Sequence, residues 1–131
     1  MDFKTDTKEK FSVITLVDPK IPANMTGELQ DLLHSFAGMP VPHLVVKMGL
    51  VQEISPEIAF CIANAQQAAY EKDTSFVLCE LGAEVEKIFD KLELLDALNQ
   101  TPTESEAWDI VQMEEIEREL LNDFGDDPSE A

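Results

Sequence analysis

Apolar and polar positions along the chain fall into two kinds of segment, whose order predicts an α/β fold. Short runs rich in β-branched and apolar residues indicate strands at 2–6, 11–17, 43–48 and 75–79. Longer runs with apolar side chains every three or four positions indicate helices at 25–37, 56–72, 83–91 and 103–122. A further apolar stretch, 94–98, is typical of a turn into a short strand. Strands separated by helices imply right-handed crossovers and a mixed, mostly parallel sheet of about four or five strands packed with about four helices.

Capping residues mark several of these helix boundaries. Asn24 or Thr26 can cap the start of the first helix, and Gly38 can end it. Thr103 and Glu106 form a capping box, which marks the start of the last helix.

The last helix carries a broad apolar stripe formed by Trp108, Val111, Met113, Ile116 and Leu120. We expect this stripe to pack on the domain. The alternative is that part of it stays exposed and pairs with a second copy of the chain or with a partner helix.

The size of the chain suits a single domain. It has 131 residues, of which 44% are apolar, and this is enough for a core of its own. We assign residues 1–122 to the domain and 123–131 to an acidic, disordered C-terminal tail. The N-terminus lacks the apolar core of a secretory signal, and no apolar run approaches the roughly 20 residues that cross a bilayer. The sequence therefore predicts a soluble, cytoplasmic protein without direct insertion into a membrane.

Acidic residues dominate the charge of the chain. There are 27 acidic and 9 basic residues, and the net charge is −18 at pH 7. Such a charge repels nucleic acid and anionic lipid, and it favours a partner with a basic surface. For the C-terminal tail alone, solubility is the simpler interpretation.

No motif for catalysis or for a cofactor is recognisable. The chain has neither a glycine-rich nucleotide loop nor a histidine pair suited to zinc. We expect His34 and His43 at the surface or at a strand edge. We expect Cys61 and Cys79 to be small buried hydrophobic residues in a reducing compartment, with a disulfide or a metal pair as the alternative. The sequence therefore predicts a protein that is not an enzyme and that has no cofactor and no metal.

Five segments follow one another as in a known family, namely residues 24–33, 44–51, 75–81, 84–98 and 103–107. The second is similar to a strand reading L-V-L-D-L-S-G-V, and the fourth to E-V-x-x-x-L-x-x-x-G-L-x-x-x-L without its glycine. Over about residues 1–122, the chain resembles the bacterial anti-sigma factor antagonists, the STAS domains. The resemblance implies a STAS-like fold and a role in regulating transcription or signalling.

The resemblance places Ser55 on the serine of D-S-S-G that a partner kinase phosphorylates in the family. Here Ile54 replaces the aspartate, Pro56 the second serine and Glu57 the glycine. The family's G-x-L-D stretch corresponds to residues 19–22, which read PKIP. The resemblance therefore implies that the fold is kept while the kinase-recognition motif is degraded.

Ser55 has two interpretations. A serine before a proline is typical of a helix N-cap with proline at the first helical position. A phosphate on Ser55 would instead add negative charge at a helix N-terminus, where the helix dipole stabilises an anion. Because Glu57 already places a negative charge in the first turn, a fixed, non-switching surface is a further hypothesis.

The loop around Ser55 is the candidate partner-binding surface. It consists of Glu53, Ile54, Ser55, Pro56 and Glu57, and in the family this patch meets the partner. Since Ile54 is apolar, burial in the core is an equal alternative to exposure.

The expected function is binding to an anti-sigma factor kinase or a similar switch protein. One alternative is a soluble STAS subunit of a membrane transport complex that docks on an ATPase. Another is an acidic decoy that occupies a basic nucleic-acid-binding protein. The sequence leaves the partner, the oligomeric state and any small-molecule ligand open.

Overall fold

Residues 1–125, which the computed structural model describes, form seven strands and four α-helices. The strands are β1 (Phe3–Thr7), β2 (Ser12–Leu16), β3 (Lys20–Ile21), β4 (Leu44–Lys47), β5 (Glu53–Ile54), β6 (Phe76–Cys79) and β7 (Gln100–Thr101). The helices are α1 (Thr26–Ser35), α2 (Pro56–Glu71), α3 (Ala83–Lys91) and α4 (Glu104–Gly125).

The main sheet has five strands in the order β1-β2-β4-β6-β7. β1 is antiparallel to β2, and every other pair in this sheet is parallel. β3 and β5 form a separate parallel pair. The predicted mixed, mostly parallel sheet with four helices is therefore confirmed.

Two cores lie on opposite faces of the sheet, because successive strand residues point to alternate sides. Ile14, Val46 and Leu78 belong to the larger core, which includes buried residues of α1, α2 and α3. Val45 and Val77 belong to the smaller core, which α4 covers. The central strands β4 and β6 are buried on both faces, and this explains their nearly continuous apolar sequence.

The start and end of α1 differ from the prediction. Neither Asn24 nor Thr26 caps this helix: its N-cap position is Met25, whose side chain makes no capping bond. A 3-10 turn at Ala23–Met25 leads into the helix, and the Thr26 hydroxyl donates to the Ala23 carbonyl at 2.7 Å. The helix ends at Ser35, and Gly38 is outside it without a positive φ. Thr26 therefore stabilises the preceding turn rather than capping the helix.

The turn that follows α3 contains a residue with a left-handed backbone conformation that is not glycine. Glu93 has a φ of 60°, its amide donates to the Asp90 carbonyl at 3.0 Å, and the next amide, of Leu94, donates to Phe89 at 2.8 Å. These two bonds form a Schellman motif, in which glycine is the usual residue at the left-handed position. Asp73 holds the equivalent position after α2, with a φ of 56°.

α4 starts as predicted and continues further than predicted. The Thr103 hydroxyl accepts a hydrogen bond from the Glu106 amide at 3.2 Å, as a capping box requires. The helix runs to Gly125, three residues past the expected end at 122. The rest of the predicted acidic tail, residues 126–131, lies outside the described residues.

The apolar stripe of α4 packs on the sheet only in its first half. Val111 is buried and Trp108 is half-buried, and the Trp108 ring lies 6.3 Å from the ring of Phe11. Ile116 and Leu120 are exposed. The expectation that the whole stripe packs on the domain is therefore wrong for its second half, and the alternative of partial exposure describes it correctly.

Candidate protein-interaction site

The chain leaves the central strand β4 at a corner that we call the Ser55 corner, residues 51–57. Val51 is buried, and its amide donates to the Met48 carbonyl at 3.0 Å, which closes the turn after β4. Met48 is itself fully buried. The corner is therefore anchored directly to the core.

The segment before α1 supports the Ser55 corner through backbone hydrogen bonds. The Pro19 carbonyl accepts from the amides of Gln52 and Glu53, at 2.7 and 3.0 Å. β3 and β5 then pair in parallel, and the Ser55 amide donates to the Ile21 carbonyl at 3.1 Å. Residues 19–22 stand where the family pattern reads G-x-L-D. In this chain, the backbone of this segment supports the corner.

Ser55 is the N-cap of α2, as one of the two interpretations predicts. Its φ and ψ are −78° and 161°, and its hydroxyl oxygen accepts a hydrogen bond from the Ile58 amide at 3.3 Å. Pro56 follows at the first helical position, where a missing N–H costs nothing. The side chain of Ser55 is half-buried. The capping role is therefore confirmed, while phosphorylation stays a prediction.

The five predicted contact residues differ in exposure. Glu53, Pro56 and Glu57 are exposed and Ser55 is half-buried. Ile54 is 2% exposed and belongs to the larger core, so the alternative of a buried Ile54 is confirmed. Ile54 therefore holds the corner in place, and its side chain is not available to a partner.

Negative charge surrounds the Ser55 corner. Glu57 lies in the first turn of α2, where its carboxylate interacts favourably with the helix dipole. Glu53 lies 3.9 Å from the ammonium of Lys20, and both side chains are largely exposed. An exposed ion pair of this kind contributes about 0–1 kcal/mol, so it orients the side chains more than it stabilises the fold.

A groove between α1 and α2 opens beside the Ser55 corner. Its volume is about 760 Å³, and it extends from Glu57 along α2 to Lys72. Phe60 lines it and is 45% exposed, one turn from the start of α2. The groove was not predicted from the sequence, where a large side chain, Phe60, among the small alanines of α2 was a signal for it.

His43 and Cys61 are half-buried, and Cys79 is buried. His43 Nδ1 accepts a hydrogen bond from the Ser75 amide at 3.0 Å, and burial lowers the pKa of His43. Cys61 and Cys79 are free thiols, and burial raises the pKa of both, that of Cys79 to about 12.

Residues 1–125 bring together no group of three or more metal-ligating side chains. In the same range, no helix has the apolar length needed to cross a membrane.

No protein-family model matches the chain, and no curated protein matches it. Several solved structures are similar to the chain. An anti-sigma-factor antagonist (STAS) domain protein from Planctomyces limnophilus is similar with a TM-score of 0.74 and 11% identity, over 86% of this chain and 99% of that one. The unphosphorylated anti-sigma factor antagonist SpoIIAA is similar with a TM-score of 0.68 and 14% identity, over 85% of this chain and 96% of that one.

A third similar structure belongs to a much longer protein. The murine anion transporter Slc26a9 matches over 79% of this chain and 18% of its own length, with a TM-score of 0.67 and 14% identity. At these identities the likeness concerns the fold. The STAS-like fold that the sequence resemblance implied is therefore confirmed.

Proposed function

From the STAS-like fold and the exposed Ser55 corner, we propose that the protein is a non-enzymatic regulatory module that binds another protein through this corner. The partner we propose is an anti-sigma factor kinase or a similar switch protein in the cytoplasm. The observation that carries the proposal is the construction of the corner. Buried Val51 and Ile54 fix its backbone, and Glu53, Pro56 and Glu57 face solvent on that rigid base.

A fixed surface is the form of this function that the geometry supports best. The Ser55 oxygen already accepts the capping bond from Ile58, and its side chain is half-buried. A kinase would have to reach this hydroxyl between a rigid proline and the carboxylates of Glu53 and Glu57. We therefore propose that the negative charge of Glu57 is a constant feature of the surface, rather than one that phosphorylation supplies.

Photo-crosslinking in the native cell tests the surface. A photoreactive residue replaces Glu53 or Glu57 in the full chain, and a control replaces exposed Lys4 on β1. We expect the corner positions, and not Lys4, to crosslink to one protein. A kinase of the anti-sigma factor class supports the proposal. Crosslinking from Lys4 alone, or to no protein, contradicts it.

A matched pair of variants tests the fixed surface. Ser55→Asn and Ser55→Asp both keep a good N-cap, and only the second adds charge. We expect both variants to bind the crosslinked partner as the wild type does. Loss of binding in Ser55→Asp alone, or stoichiometric phosphate on Ser55 after incubation with the partner kinase, would show a switch and end the fixed-surface proposal.

A second candidate is a STAS subunit of a membrane transport complex. The likeness to a segment of the transporter Slc26a9 favours it, because the same fold there accompanies a transport protein. The crosslinking experiment separates the two, since an ATPase or another transport component would then be captured. A third candidate, an acidic decoy for a nucleic-acid-binding protein, rests on the net charge of −18. It requires binding that nearly disappears at moderate salt.

A further inference from the structure

The second half of α4 has its polar residues against the domain and its apolar residues in solvent. This helix alone covers its face of the sheet, with Ala107 and Val111 buried in the smaller core. One turn further on, the residues on the same side of the helix are Glu114 and Arg118, which lie three and seven positions after Val111. The side of α4 that faces the domain therefore changes from apolar to polar along its length.

Hydrogen bonds explain why the inward side is polar there. The Glu114 carboxylate accepts from the Tyr70 hydroxyl, with distances of 2.8 and 3.0 Å to its two oxygens. Arg118 Nη2 donates to the Ser75 hydroxyl at 3.0 Å. Tyr70 is held in turn by the side-chain amide of Asn99. The second half of the helix is thus attached to the domain through polar contacts, in which its exposed apolar residues have no part.

The outward side carries the α4 outer face, which consists of Met113, Ile116 and Leu120. These side chains are 60%, 56% and 51% exposed. Met113, Ile116 and Leu120 lie within about 60° of one another around the helix axis, at about 100° per residue. They therefore form one continuous apolar strip of about two turns, rather than scattered surface residues.

An apolar strip of this kind normally marks a surface that another molecule covers. A helix that packed only on its own domain would have the opposite polarity in this half. Since Glu114 and Arg118 each make a hydrogen bond to the domain, rotation of the helix would bury the strip only by breaking these bonds. The arrangement therefore indicates a partner outside the part of the chain that the structure describes.

The charges beside the strip define the chemistry of that partner. Glu117 and Glu119 are exposed and flank the strip, one on each side. A second copy of the chain would bring the same acidic residues against each other, and each copy carries a net charge of −18. A partner with lysine or arginine beside its own apolar strip would instead form favourable pairs across the interface.

We propose that the α4 outer face binds a basic amphipathic helix of another protein. The apolar strip of that helix packs on Met113, Ile116 and Leu120, and its basic residues pair with Glu117 and Glu119. The surface lies on the opposite face of the sheet from α1, α2 and α3. The protein can therefore hold this partner and a partner at the Ser55 corner at the same time.

Synthetic peptides test the proposal on the full chain. The probe is a helical peptide with leucine at every third or fourth position and lysine on both flanks. One control peptide has glutamate in place of lysine, and another has the lysine peptide's composition in scrambled order. We expect only the amphipathic lysine peptide to bind, with NMR chemical-shift changes concentrated at residues 113–121. Binding of the scrambled peptide with equal affinity, no binding, or shift changes elsewhere would overturn the proposal.

Variants separate the apolar and the charged contributions. Ile116→Glu and Leu120→Glu should each weaken peptide binding by about tenfold or more, and Glu117→Lys combined with Glu119→Lys should weaken it while leaving the strip intact. Phe3→Glu, at an exposed phenylalanine of β1, is the control that should leave binding unchanged. Thermal unfolding should be nearly the same in all variants, because every substituted side chain faces solvent. Equal binding by Ile116→Glu contradicts the proposal.

Sedimentation distinguishes the proposed partner from a second copy. We expect the wild-type chain to sediment as a monomer at physiological salt. A dimer that Ile116→Glu dissociates would assign the strip to self-association and overturn the proposal.

Discussion

The Ser55 corner and the α4 outer face have opposite arrangements of polar and apolar side chains. The corner buries its apolar residues, Val51 and Ile54, and exposes its carboxylates. The second half of α4 directs Glu114 and Arg118 inward and exposes Ile116 and its neighbours. The first arrangement gives a rigid, well-solvated surface that is stable without a partner. The second leaves apolar side chains exposed to water in the part of the chain that the structure describes.

The contrast distinguishes a surface whose apolar residues are buried by folding from a surface whose apolar residues would be buried only by binding. At the corner, the residues that stabilise the fold are different from the residues that a partner would contact. In the second half of α4, hydrogen bonds attach the helix to the domain, so the exposed apolar side chains are not needed for this attachment. Stability measurements can therefore test the contrast without knowledge of either partner.

The largest expected effect is the difference in stability between truncating an isoleucine of the Ser55 corner and truncating an isoleucine of the α4 outer face. Ile54→Ala should lower the free energy of unfolding by about 2–5 kcal/mol, because it leaves a cavity in the larger core. Ile116→Ala should change it by less than about 0.5 kcal/mol, since that side chain is exposed. Urea unfolding monitored by circular dichroism measures both. Similar losses in the two variants would contradict the contrast.

Tyr70→Phe should have the next largest effect. It removes the donor to the partly buried Glu114 carboxylate, and leaving such a group unsatisfied costs about 1–3 kcal/mol. The measurement is again urea unfolding, with amide hydrogen exchange of α4 as a local readout. We expect the substitution to increase the exchange rate more in the second half of α4 than in its first half. An unchanged stability would mean that the polar contacts do not hold the helix.

The same contact predicts a dependence on alkaline pH. Burial, with a further contribution from Glu114, raises the pKa of Tyr70 to about 12 from its ordinary value of 10. Because the folded-state pKa is the higher one, the stability from the neutral phenol is fully present below pH 10 and is lost as the pH rises to 12. Tyr70→Phe should make this loss smaller, and the share from buried Cys79, whose pKa is also raised to about 12, should remain. An identical pH profile in the variant would count against the assignment.

Ser55→Ala should give a smaller loss of about 1 kcal/mol, because it removes the N-cap of α2. Ser55→Asn is the control and should keep most of the stability. If both variants lose the same amount, the hydroxyl has a role other than capping.

A small effect is also expected for Lys20→Ala, which removes the ion pair with Glu53. Both side chains are largely exposed, so the stability should change by less than about 1 kcal/mol. Added salt should reduce the difference further. A larger, salt-independent loss would mean that Lys20 contributes to the corner in another way.

The elements with long, regular patterns could be predicted from the sequence. The apolar run around Val45 and Val46 identified the central strand, and the spacing in α2 and α3 identified both helices within a residue or two. β3 and β5 were not predictable, because two residues carry no periodicity. Their pairing depends on the Pro19 carbonyl, which no sequence pattern reveals.

The stripe on α4 could have been divided correctly from spacing alone. Val111 and Ile116 are five positions apart, which places them about 140° from each other around the helix axis. They therefore cannot both face the sheet. The predicted stripe combined two faces of the helix, and the side of Val111 continues with Glu114 and Arg118.

The missing glycine of the family pattern has a structural counterpart. Counting through residues 84–98 places it at Glu93, which has the left-handed φ of 60°. A left-handed backbone conformation therefore occurs in this chain at the position where the pattern has glycine. The sequence indicated the departure, and only the structure shows that the chain tolerates the strain.

The support of the Ser55 corner by Pro19 and Ile21 links segments more than thirty residues apart in the chain. During synthesis, the corner cannot take its final shape until β5 has emerged and joined β3. A chain in which β3 and β5 are unpaired therefore lacks this surface even though it contains every residue of it. A protein that recognised the corner would distinguish chains in which this pair has formed from chains in which it has not.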